Sequence, residues 1–347
     1  MSTMSESLHP APLPLDERVP YPALVAGLAL LAAALGLASV VIGYVPFDLG
    51  AAFGDLLDGR ATLPALVLAE LRLPRAALGL LVGFSLGLTG AAMQGWLRNP
   101  LAEPGLVGVS SAAALGAVIV FYSGLSATLA LALPLGGMAG AAAAALLLNI
   151  MAARGAGTTT LVIGGIAINS LAGSLTALAL NLAPNPYAAL EIVFWLMGSL
   201  ADRGTDQLRL VLPPMLAGWA LTLSAARALD ALTLGEDTAR SLGFDLAALR
   251  MRLIAGAALA VGSAVSVTGA VGFVGLVAPH LLRPLVGARP GRLLLVSGLA
   301  GASLTLAADI AVRLLPTRPE LKLGVVTALI GAPFLIALIW RLRREEA

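Results

Sequence analysis

No cysteine occurs anywhere in the 347 residues, so disulfides, thiolate nucleophiles and Cys-based metal sites are excluded from the start. Lysine is nearly absent as well. Lys322 is the single example, and no stretch resembles the GxxxxGK[ST] loop that cradles nucleotide phosphates, so ATP hydrolysis by that route is excluded. Histidine is limited to His9 and His280 without any HExxH pair. Neither that motif nor a nucleophile-elbow serine is expected in the apolar spans, which leaves an intramembrane protease without its machinery. Charged residues make up only 12% of the chain, and its net charge is +2 with the positive residues dispersed among loops. Dispersed charge excludes the basic stripe that nucleic acid requires.

What fills the space is apolar. Hydrophobic residues make up 59% of the chain and the mean hydropathy is +0.95, in runs well past the roughly 18 residues that suffice for a spanning helix. The expected fold class is an all-α integral membrane protein. The strands of a membrane barrel would alternate apolar and polar residues, whereas 128–153 is apolar on every face. Few aromatics and 39 glycines predict helices that meet through small residues, because lipid supplies no hydrophobic drive between helices. Residues 1–21 are polar and Pro-rich, lack the apolar core of a signal peptide, and read as a disordered cytoplasmic tail, with a second short tail at 343–347.

Apolar runs between charged or Pro/Gly punctuation predict helices near 22–44, 72–97, 106–122, 127–153, 158–182, 207–229, 250–272, 274–286, 292–315 and 323–342. That makes about ten spans, with 186–200 too short to cross and assigned to the outer surface. An inside N-terminus places thirteen basic residues in the cytoplasm against eight outside, the direction of the positive-inside rule. The chain also echoes itself: Thr89-Gly90-Ala91-Ala92 recurs as Thr268-Gly269-Ala270-Val271, and Thr160–Gly165 resembles Thr327–Ala332. Two five-helix halves, about 22–182 and 207–342, would then be inverted relative to each other, a transporter pattern.

The stretch 72–111 joins an apolar helix, with Arg72 and Arg75 at its mouth, to a Pro/Gly-broken turn that returns at once to apolar sequence. In a bilayer such backbone must be buried in protein or line a water-filled cavity. Further on, Pro279 frees a backbone carbonyl beside His280. His280 admits a catalytic or metal-binding reading, or a structural hydrogen-bonding one, and no acidic cluster accompanies it in sequence. The loop 233–250 carries Gly235, Glu236 and Asp237 at a helix start, then Arg240, Leu242, Gly243 as a stop, Phe244, and Asp245 as the N-cap of a second short helix. Leu242, Phe244 and Leu246 read as buried, making this either a compact cytoplasmic knob or an ordinary solvated loop.

Arg72-Leu73-Pro74-Arg75, Gly90–Gln94, Asn99-Pro100-Leu101-Ala102-Glu103-Pro104-Gly105 and Gly272–Arg283 resemble the membrane subunits of bacterial ABC importers for iron chelates, haem and cobalamin, the FecCD-type permeases. The resemblance runs from about residue 22 to 342. It implies a homodimer in the inner membrane with both termini cytoplasmic, two copies of a cytoplasmic ABC ATPase that hold the ATP and magnesium, and a periplasmic substrate-binding protein. No cofactor or metal is expected in the chain itself. The resemblance makes the knob (Gly235, Glu236, Asp237, Arg240, Leu242, Gly243, Phe244) the ATPase coupling site. It makes Arg72, Arg75 and Arg313 the docking arginines for the binding protein, although ordinary interface anchoring would also explain each one. Thr158 and Thr159 become the inner gate, or else a Thr-rich helix cap. Asn99, Pro100, Pro104, Pro279 and His280 are its structural motif. Large iron chelates are the expected cargo, with cobalamin as the alternative and an ion-coupled secondary transporter as the remote one.

Overall fold

The computed structural model describes residues 19–43, 48–287, 289–317 and 319–346. Almost all of the expected N-terminal tail, and Arg318, lie outside these residues. Among the described residues all regular structure is helical. The order is α1 (Tyr21–Val41), α2 (Leu49–Leu57), α3 (Leu63–Leu97), α4 (Val109–Tyr122), α5 (Leu125–Thr128), α6 (Ala132–Ala153), α7 (Thr158–Asn181), α8 (Pro186–Leu196), α9 (Thr205–Ser224), α10 (Ala226–Leu232), α11 (Glu236–Ser241), α12 (Leu246–Thr268), α13 (Val274–Leu282), α14 (Pro290–Leu314) and α15 (Leu323–Glu346).

Six of these, α1, α3, α6, α7, α12 and α14, are long and apolar enough to cross a membrane, and a seventh results if α9 and α10, bent by 40° at their junction, count as one span. The sequence predicts about ten. Helix α15 counts only over Leu323–Ala337, short of a span among the described residues, and the other two shortfalls have local causes. Helix α4 has 14 residues because the chain before it is still returning from the end of α3, and α13 has only 9 because Gly269, at φ 73°, and the turn after it interrupt the apolar run.

In the other direction, α3 starts at Leu63 and not near residue 72. A π-helical turn at Leu68–Arg72 directly precedes Pro74. The wider turn absorbs the missing Pro74 N–H and the ring's clash with the preceding turn, so the helix passes through without breaking.

Helices α3, α12 and α14 form the centre, with 89%, 78% and 72% of their apolar windows buried, whereas α1 and α7 bury only 11% and 17%. Leu78, Leu88 and Met93 of α3 share one core with Leu253 and Ile254 of α12 and Leu294 of α14, and buried Leu306 of α14 lies against Gly79 of α3. The α3–α14 crossing is a glycine seam: a Cβ on Gly83 or Gly87 would overlap the backbone of Gly301 or Ser297. Such backbone approach maximises dispersion where no hydrophobic drive between helices exists.

Candidate functional site

Left-handed Arg98 (φ 48°) ends α3, and Asn99 turns the chain by accepting the Leu101 N–H on its Oδ1 at 2.9 Å. Pro100 follows in the turn, and Pro104 opens a single 3-10 turn, Pro104–Val107, that ends at left-handed Gly108. The segment folds back along α3, so that Pro104 and the Leu86 carbonyl flank the same residue, Gly275 of α13. Pro279 removes the N–H that would bond the Gly275 carbonyl. That oxygen instead faces Gly90, where any Cβ would overlap it. The buried Gln94 amide completes the joint, donating to the Leu276 carbonyl at 3.4 Å and accepting from Arg283 at 2.6 Å.

The two broken segments wall a cavity of about 300 Å³. Glu103, Gly105, Ser110 and Ser111 contribute one side, Ala270–Phe273 another, and Ile166 and Asn169 of α7 a third. The Ser111 hydroxyl donates to the Asn169 carbonyl oxygen. Asn169, Ser170, Gly173 and Ser174 lie on one face of α7 and are exposed, a polar strip on a helix of spanning length.

At the opposite end of α7 the knob takes shape. Gly235 precedes α11, whose first residues are Glu236 and Asp237, and Gly243, at φ 86°, follows its end. Asp245 caps the next helix through the Ala247 and Ala248 N–H groups at 2.8 and 3.1 Å. That helix is the long α12, not the short second helix that the loop's spacing predicts. Nor is Leu242 buried: it is 58% exposed and Leu234 is 64% exposed, while Leu246 is enclosed and Phe244 is in between. These two leucines lie on the surface and not in a core.

The carboxylate of Glu236 is the hub of this end. It accepts from Thr158 Oγ1 at 3.2 Å, from Arg250 Nη2 at 3.1 Å on both oxygens, and from Arg240 Nη2 at 3.1 Å. Arg240 also bonds Asp237 at 2.9 Å. Arg250, on α12, additionally donates to the Ala156 carbonyl at 3.2 Å. The structure thus joins Thr158 to the knob, whereas Thr159 is exposed beside it.

Arg72, Arg75 and Arg313 find anions and acceptors within the chain. Arg75 is paired with Asp309 at 2.8 Å and with Glu320, and Arg313 approaches the other Asp309 oxygen at 2.8 Å. Arg313 also donates to the Ser39 and Ile42 carbonyls at 2.7 and 2.6 Å, and Arg72 to those of Val40 and Val41 at 3.0 and 2.8 Å. Two guanidiniums therefore cap the carbonyl-rich C-terminus of α1, where positive charge is favoured. With its side chain 3% exposed, Arg313 is enclosed, not displayed. Arg72 keeps partial exposure. Glu320 and Ser39 were not singled out by sequence: a lone acid in a loop and a lone hydroxyl in an apolar helix give no local signal.

His280 sits edge-on to Phe334 with ring centroids 5.7 Å apart, and no group of three His, Asp or Glu able to hold a metal exists among the described residues. Gly83-Phe84-Ser85-Leu86-Gly87 does match Gly-x-Ser-x-Gly, contrary to the expectation that no such serine is present. It lies inside the uninterrupted α3, not on a strand-to-helix elbow. The buried Ser85 accepts from Trp219 Nε1 at 2.8 Å.

The FecCD transport family model matches residues 30–341. The chain belongs to the FecCD transport family. It is 40% identical over 318 residues to the ferric enterobactin transport system permease protein FepD of Escherichia coli, covering 84% of this chain and 92% of that one. To the hemin transport system permease protein HmuU of Yersinia pestis it is 37% identical over 282 residues, covering 80% and 84%. A solved structure described as an inward-facing conformation of a metal-chelate type ABC transporter superposes with a TM-score of 0.81 at 31% identity, covering 92% of this chain and all of that one. This FecCD chain is thus a multi-pass membrane transport permease rather than an enzyme, and its broken segments and cavity are features of a permease.

Proposed function

We propose that this FecCD permease is the membrane-spanning subunit of an ATP-driven importer for large iron chelates, a ferric siderophore or haem, in the bacterial inner membrane. The observation that carries the reading is the cavity between the two broken segments, open to the polar strip of α7. Asn169, Ser170 and Ser174 are poorly suited to lipid, so that face lines either a water-filled path or a second copy of the chain. A homodimer enclosing a central path, with α7 and α15 as its walls, meets both needs. In the same reading the short helices complete about ten crossings in two inverted halves, 22–182 and 207–342, with both termini cytoplasmic.

Two ATPase subunits, carrying the ATP and magnesium, dock on the knob through Leu234, Leu242 and the acidic start of α11. Movement there opens the gate at Thr158 and Thr159. A periplasmic binding protein docks at the outer arginine cluster. Arg72 offers the most accessible charge, and Arg75 and Arg313 shape the site from behind while paired to Asp309. Cobalamin is the alternative cargo. Glu103 on the cavity wall is a feature that an ion-coupled transporter would use, so ion dependence belongs in the test.

Reconstitution in liposomes with an ATPase subunit and binding protein, followed by uptake of a ferric siderophore, haem and cobalamin in parallel, tests the reading. Saturable, binding-protein-dependent uptake of an iron chelate supports it. Uptake of cobalamin alone reassigns the cargo, and no uptake of any of the three by an assembled complex refutes it.

A further inference from the structure

Arg250 is a buried cation that bonds to two other parts of the chain, the start of α11 and the link before α7. It comes from the first turns of α12 and is 8% exposed. One of its nitrogens, Nη2, holds both oxygens of Glu236, the first residue of α11. The other, Nη1, holds the carbonyl of Ala156, inside the Gly155-Ala156-Gly157 link between α6 and α7. The hydroxyl of Thr158, the first residue of α7, closes the ring by donating to the same Glu236 carboxylate. Within α11 itself Arg240, in the last turn, pairs with the same carboxylate and with Asp237.

The link 154–157 has two glycines and few side chains to hold it. Gly155 and Gly157 meet nothing within 4 Å of a built Cβ, so space around the link permits rotation. Ala156 between them packs against the core, and the polar, directional tie of the link to α12 is the planar guanidinium of Arg250. A planar fork that bonds a carboxylate with one nitrogen and a carbonyl with the other transmits both pull and twist, which a lysine ammonium, a single point charge on a flexible stem, does not.

We propose that Arg250 is the positioning residue that couples the ATPase-facing knob to the gate: displacement of α11 is passed through Glu236 and Arg250 to the Ala156 link, and through Thr158 to the start of α7. The inference rests on the importer reading above. A rigid joint gives a fixed amount of transport for each ATP hydrolysed. With the joint loosened, the ATPase still cycles against the knob while α7 fails to follow.

The test uses the full complex in liposomes and compares wild type with Arg250→Lys and Thr158→Val, measuring chelate moved per ATP hydrolysed. A spin label at Thr159→Cys in the otherwise cysteine-free chain reports the separation of the two copies with and without ATP. Arg250→Lys should hydrolyse ATP within about twofold of wild type while uptake per ATP falls about tenfold, and the ATP-induced change in label separation should vanish. Thr158→Val should lower the ratio in the same direction by a smaller factor. An unchanged ratio in Arg250→Lys overturns the proposal, as does a parallel fall of hydrolysis and uptake, the mark of a merely structural residue. Should Arg250→Lys not assemble, an unchanged ratio in Thr158→Val overturns it. A wild-type complex that moves no chelate refutes the importer reading instead. Wild-type transport beside unchanged variants refutes the joint alone.

Discussion

Arg75 on α3 and Asp309 on α14 form a buried ion pair at 2.8 Å, in which the Asp309 side chain is only 2% exposed, and a second arginine, Arg313, takes the opposite carboxylate oxygen. One acid thus serves two cations while Glu320 serves Arg75 from the outer side. The cluster ties α3, α14 and the end of α1 into a single unit.

Removing Asp309 should therefore be severe. Asp309→Asn keeps the shape but leaves two guanidiniums close together without their shared anion, and breaking such a buried pair costs about 3–5 kcal/mol. Thermal unfolding in detergent should show a marked loss of melting temperature or failure to accumulate in the membrane. A melting temperature equal to wild type would mean the cluster is not a structural joint.

The same geometry separates two roles that charge alone would merge. Arg75→Glu inverts a buried charge beside Asp309 and Glu320 and should damage the fold. Arg72→Gln removes donors to the Val40 and Val41 carbonyls at the end of α1 and should leave the chain folded while weakening binding-protein affinity about fivefold to tenfold, about 1–1.4 kcal/mol. Binding measured by surface resonance on immobilised permease checks this. Unchanged affinity in Arg72→Gln would move the docking site elsewhere.

Gly90 should tolerate nothing larger. A side chain there meets the Gly275 carbonyl, a backbone group that cannot swing aside, so Gly90→Val should cost at least the ~1–3 kcal/mol typical of overpacking. Gly36 of α1, with nothing within 4 Å, is the control: Gly36→Ala should melt at or slightly above the wild-type temperature. Similar melting of the two variants would contradict the packing described.

The exposed leucines of the knob make the opposite prediction. Leu234→Ser together with Leu242→Ser should leave the melting of the isolated permease within about 0.5 kcal/mol of wild type, as for other surface changes. Copurification of the ATPase subunit should drop sharply. Retained copurification would remove these leucines from the docking surface.

Much of the helical plan is legible in the sequence because lipid imposes it: runs such as 132–153 and 290–314 have no other stable fate. The break at 99–105 is legible because two prolines and an asparagine announce it. Boundaries fail where long-range packing overrides local punctuation. Pro74 reads as a helix start, yet the π-helical turn carries α3 through it; Asp245 reads as the cap of a short helix, yet it caps a 23-residue one. Arg72, Arg75 and Arg313 read as docking or anchoring residues because their partners, Asp309, Glu320 and the end of α1, are distant in sequence. Leu242 reads as core because hydrophobicity does not say which neighbour will cover it.

The most direct test of an ATP-driven permease is its energy source. Uptake of a ferric chelate into liposomes should require ATP on the ATPase side, vanish when the ATPase partner carries a substituted P-loop lysine, and persist when an ionophore collapses all ion gradients. Uptake that continues without ATP and follows an imposed proton or sodium gradient would contradict it, and would turn attention to Glu103 on the cavity wall.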